Sequence, residues 1–127
     1  MKNYVNIKYI KNLNNDCLRG LAFYKEELHI LQERLQEIAG DNTAQEIQEK
    51  VEHFQNQFLI HGNYLEELRQ TIQANDQDIA AELVLTGTRV PENIATAHSR
   101  IHERYLNEER MFNELRHEFN RFAASWI

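Results

Sequence analysis

The 127-residue sequence predicts an all-α protein, an antiparallel up-down-up bundle of three long helices, on three observations. Four glycines and one proline are too few for short strands joined by tight turns. Apolar residues recur three and four apart along most of the chain, the spacing that lines one side of a helix. That pattern is interrupted clearly only around Gly40 and around Gly87 to Pro91. A chain of this size favours one core, so residues 1–127 read as a single domain.

The first helix spans about residues 6–39. Its inward seam runs Ile7, Ile10, Asn14, Cys17, Leu21, Tyr24, Leu28, Leu31, Leu35, Ile38, and Gly40 is the residue type favoured just past a helix end. Thr43-x-x-Glu46 has the form of a capping box and starts a second helix over about 43–85. Its seam is Ile47, Val51, Phe54, Phe58, His61, Leu65, Leu68, Ile72, Asn75, Ile79. Asn75-Asp76 is a stop signal, so residues 76–85 either continue this helix or form a short separate one. Pro91 supplies the fixed φ of a first helical turn and opens a third helix over about 91–126. The third seam is Ile94, His98, Ile101, Tyr105, Glu108, Phe112, Leu115, Phe119, Phe122, Trp126. A seven-residue repeat held this long implies left-handed, coiled-coil-like packing, and the short connections make consecutive helices antiparallel. The outline is similar to spectrin-like three-helix bundles, which implies an architecture and no activity.

Five seam positions are polar: Asn14, His61, Asn75, His98 and Glu108. Each buries a group that must find a partner or cost on the order of 1 to 3 kcal/mol. Folding the chain about its two breaks sets His61 level with Tyr24 and Leu115, Asn14 with Ile72 and Tyr105, and His98 near Ile79 and Asn75. Tyr24 is then the natural hydrogen-bond partner of His61, and Arg104 or Asn14 that of Glu108. The economical role for the set is to fix register, since a polar seam residue penalises slipped alignments of otherwise uniform stripes. The sharper role is a ligand pocket around His61, because Gly20 and Gly62 flank its layer and glycine inside a helix calls for close packing or access.

Catalytic motifs are not evident. The sequence has no Gly-x-Ser-x-Gly and no glycine-rich phosphate loop, and Cys17 falls on the seam, where a thiol is inert packing. Glu114-x-x-His117 and His29-x-x-x-Glu33 project away from the seam, so they do not converge as a di-iron site in a bundle core would require. His98 and His102 differ: two histidines at i and i+4 on one side of a helix chelate an ion, and Asp76 sits at the matching flank of the second helix. Zinc with three protein ligands and one water is the metal this set would suit.

The first helix carries more apolar surface than one seam needs. Tyr9, Leu13, Phe23 and Ile30 form a second stripe, and Ile60 and Tyr64 extend it on the second helix. A doubly apolar helix with no fourth helix to cover it points to another chain, most commonly in a two-fold homodimer. Charge is segregated too. Residues 1–42 and 86–127 each carry six basic and six acidic side chains, whereas residues 43–85 carry two basic and eight acidic, the whole net charge of −6. That balance disfavours nucleic acid and anionic membrane and offers an acidic docking face for a basic protein partner. One cysteine, no long apolar window and no signal-like start give the expectation of a cytoplasmic protein. The sequence therefore predicts a non-enzymatic interaction or scaffold protein without a resident cofactor, acting by self-association or through the acidic helix. The alternative is a small metal- or ligand-binding bundle using Asp76, His98 and His102, or a pocket around His61.

Overall fold

The computed structural model describes residues 4–87 and 89–126. Three helices form the bundle, α1 (Ile7–Asp41), α2 (Gln45–Thr86) and α3 (Glu92–Ala124), each packed against both others. At 35, 42 and 33 residues they are rods of about 50 to 63 Å at 1.5 Å per residue. α2 is continuous through Asn75-Asp76, so no separate helix forms over residues 76–85. Both polar side chains there are engaged in the core, which leaves them no reason to break the helix. None of the helices is long and apolar enough to cross a membrane, among the described residues.

All ten seam residues of α1 and all ten of α2 are buried. The third seam holds from His98 to Phe119 except at the half-buried Ile101, then rotates: Ala123 is buried, Phe122 half-buried and Trp126 exposed. Trp126 lies beyond the end of α3, so the repeat does not carry it inward. The core is in two parts. A long aromatic and aliphatic cluster runs from Cys17 to Ile38 on α1 and includes Phe54, Phe58, Phe112 and Phe119. A small cluster of Ile7, Ile10, Ile79 and Val90 closes the far end. Asn14, Asn75 and His98 occupy the seam between the two clusters.

The helix ends differ from the expected capping. α1 continues through Gly40 to Asp41, and α2 begins after Ala44 with no side-chain cap, so Thr43-x-x-Glu46 does not close as a capping box. The turn is held from its other side. Asn42 Nδ2 donates to the Ile38 carbonyl at 2.9 Å, and Gln48 Nε2 donates to the carbonyls of Ala39 and Asn42, satisfying acceptors that a helix end leaves open. At the second break Gly87 adopts φ 96°, a left-handed conformation that an L side chain resists, and its N–H closes on the Leu83 carbonyl. Thr88, between it and the next element, lies outside the described residues.

Two short strands were not predicted. β1 (Tyr4–Asn6) and β2 (Arg89–Pro91) form an antiparallel ribbon with Tyr4 opposite Pro91 and Asn6 opposite Arg89. Pro91 ends β2 and caps α3 instead of opening it. Asn6 ends β1 and caps α1, its side chain accepting from the Lys8 N–H at 2.8 Å. The ribbon ties the start of the chain to the α2–α3 connection.

Candidate functional site

The polar seam residues are the five buried polar residues among those described, and His61 and Glu108 do not take the partners expected of them. Asn14 is the hub of the first group. Its Nδ2 donates to Asn75 Oδ1 at 3.0 Å and to Asp76 Oδ1 at 2.7 Å, which turns its carbonyl oxygen toward His98 Nδ1 at 3.1 Å. The oxygen only accepts, so the imidazole carries its proton on Nδ1. One amide therefore joins all three helices. The other ring nitrogen, His98 Nε2, is buried without a partner. Burial, and secondarily the nearby His102, holds the His98 pKa below its usual value, while Asp76 pulls the other way.

The next layer joins α1 to α3. Cys17 Sγ lies 3.5 Å from His102 Nδ1. Burial, with Asp16 and Glu109 adding to it, pushes the Cys17 thiol up to about 11, so it stays protonated and unreactive near neutral pH. Two turns on, Glu109 Oε2 accepts from both Tyr24 and Tyr105, at 2.9 and 3.3 Å. Here Gly20 has its explanation: a Cβ at that position would stand 1.8 Å from the Tyr105 hydroxyl oxygen. Only glycine leaves room for the tyrosine to reach Glu109.

His61 meets Glu108, not Tyr24. Nδ1 and Oε2 are 2.6 Å apart, with the Glu108 side chain 1% exposed. Phe112 packs against the imidazole edge. The two side chains close on one another. Gly62 instead borders an open groove of about 680 Å³ between α1 and α2, where a Cβ would press on Leu28 Cδ2 at 3.2 Å. Arg104, the expected partner of Glu108, donates to the Tyr64 hydroxyl and stacks 5.5 Å above its ring.

The proposed zinc set is not brought together. Asp76 is engaged by Asn14 from α1, His102 by Cys17, and the His98 and His102 rings stack nearly parallel, 18° apart with centroids 6.1 Å apart. Rings face to face do not converge their lone pairs on one ion. Among the described residues no three His, Cys, Asp or Glu side chains form a metal-holding group.

The apolar stripe on α1 is present. Tyr9, Phe23 and Ile30 are 60%, 55% and 40% exposed, and Leu13 is half-buried. Tyr9 and Leu13 flank α3, lining a cleft with Ala95 and His98, while Phe23 packs edge-on against Tyr24. Ile60 and Tyr64 do not extend it. Tyr64 faces Arg104 across the α2–α3 groove, on the other side of α3, with Ile60 one turn before it. The exposed Leu83, Val84 and Leu85 at the end of α2 were not singled out from the sequence, because their apolar run gives no period to distinguish buried from exposed.

Comparison with protein-family models, with curated proteins and with solved structures returns no match.

Proposed function

We propose that the protein is non-enzymatic and works by association, as a two-fold homodimer built on the outer face of α1. The observation that carries this is the exposure of Phe23 and Ile30 on a helix whose ten seam residues are already buried within its own bundle. Intrachain packing is complete without them, and large apolar side chains left in rows mark contact surfaces. Charge favours a second copy at this face. α1 and α3 belong to the two segments with balanced charge, so pairing through α1 keeps the acidic second segments of two copies apart. The acidic α2 has weaker support as a docking face, since Glu66, Glu67 and Asp76 are engaged by Arg69, Arg104 and Asn14.

Light scattering tests the reading. The wild-type protein at micromolar concentration is expected at twice the 15.1 kDa chain mass. Phe23→Glu with Ile30→Glu brings like charges together across a two-fold contact and is expected to give single chains of unchanged helicity. A wild-type mass of one chain would overturn the proposal.

A further inference from the structure

A cleft of about 370 Å³ runs between the start of α1 and the start of α3. Its apolar lining is Tyr9, Ile10, Leu13 and Ala95, and its polar lining is Ser99, Glu103 and the two stacked histidines, His98 and His102. His98 is 5% exposed, and of its two ring nitrogens Nδ1 is committed to Asn14 while Nε2 has no partner. The Asn14 bond fixes the proton on Nδ1, so the buried Nε2 keeps an unpaired lone pair. A buried acceptor left unsatisfied lowers stability, and a donor supplied by a ligand would recover part of that loss. The register role of the polar layer does not need this atom, because Asn14, Asn75 and Asp76 are satisfied among themselves and by Nδ1.

We propose that this cleft binds a small organic cation with an apolar body, of the arylalkylammonium class, whose N–H group donates to His98 Nε2. The lining selects the class. The lone pair and the Glu103 carboxylate both favour a positively charged donor, and no lysine or arginine is among the lining residues to hold a carboxylate or phosphate. The Tyr9 ring offers an aromatic face, which attracts cations. Burial disfavours protonation of His98, so the acceptor remains available at neutral pH. A neutral donor would satisfy Nε2 but would leave Glu103 unused. The cleft takes Tyr9 and Leu13 from the apolar stripe of α1, whereas the proposed association rests on Phe23 and Ile30; Phe23 lies 14 residues beyond Tyr9, about 21 Å along the helix.

The test uses 2-phenylethylamine, with phenylacetate as an anion of the same body, and reads the His98 ring nitrogens by long-range proton–nitrogen correlation spectra at pH 7.5. The amine is expected to move the Nε2 resonance saturably, away from its free-acceptor position, and to leave Nδ1 nearly unchanged. Phenylacetate is expected to need at least about tenfold higher concentration for any shift. Ala95→Phe fills the cleft from the half-buried side, and it is expected to weaken the amine response at least about tenfold. No shift with the amine, an equal shift with phenylacetate, or an undiminished response in folded Ala95→Phe would each overturn the proposal. The helical signal of the variant, measured in the same samples, separates a filled cleft from a misfolded chain.

Discussion

At the scale of single residues, the seam phase identified which polar groups are buried but not what they touch. Asn14, His61, Asn75, His98 and Glu108 were readable because each falls where the seven-residue repeat points inward, and burial depends only on phase within one helix. Partners depend on the stagger between helices, which phase does not contain. His61 was expected beside Leu115 and stands against Glu108, one heptad away, so the same seam is used with different layers. This pair yields a sharp prediction. Removing one member leaves a buried polar group uncompensated, so His61→Ala is expected to lower stability by about 3 to 5 kcal/mol in chemical denaturation. Replacing both with apolar residues, His61→Leu with Glu108→Met, is expected to cost far less than the single change and to be neutral or stabilising. A double variant as unstable as His61→Ala would mean that the pair contributes net stability beyond that of well-packed apolar residues.

At the scale of elements, the connection before α3 is where the sequence misleads. Residues 89–91 run as a strand at about 3.3 Å per residue, where a helix would advance 1.5 Å, so α3 starts after Pro91 and not at it. Nothing in Arg89-Val90-Pro91 alone announces a strand, since its partner Tyr4–Asn6 is more than 80 residues away. The glycines show the same division between local and distant causes. Gly87 was legible as a helix terminator, and the left-handed φ bears that out. Gly20 was legible only as an anomaly, because its cause, Tyr105, is on another helix. Gly20→Ala is therefore expected to destabilise the fold, with Tyr105→Leu in the same chain recovering much of the loss. Gly40→Ala meets nothing within 4 Å inside a helix, so it is expected to stabilise by about 0.4 to 1 kcal/mol. Thermal melts of the three variants check both signs. Phe58→Ala or Phe119→Ala, at fully buried aromatic positions, is expected to cost about 3 to 5 kcal/mol, whereas a change at the exposed Glu33 should stay within about 0.5 kcal/mol.

At the scale of the whole molecule, the division of the core by a polar layer makes stability uneven along the bundle. The long cluster from Cys17 to Ile38 is continuous, while the cluster at the ribbon end contains four buried residues among those described and joins the rest across Asn14, Asn75 and His98. His98 links that layer to pH. Its pKa in the folded protein lies below the unfolded value near 6.5, mainly because burial disfavours the charged ring. The folded state thus binds fewer protons than an opened one as pH falls. Its contribution is fully present above about pH 6.5 and is lost progressively as the pH drops toward the folded value. The groups facing the ring act on both sides: His102 on α3 strengthens the effect, and Asp76 on α2 opposes it. Opening the ribbon end exposes His98 to water without disturbing Phe54, Phe58 or Phe119, so acid is expected to act there first. Amide hydrogen exchange at pH 7.5 and 5.5, corrected for the intrinsic rates, checks this. Residues 10–17 of α1 and 75–82 of α2 are expected to lose protection at the lower pH, while residues 24–38 and 51–65 keep theirs. In His98→Gln, where no ring can take up the proton, the difference between the two ends should no longer change with pH. An equal loss of protection along the whole of α1 would show instead that the bundle opens as one unit and that the polar layer does not divide it.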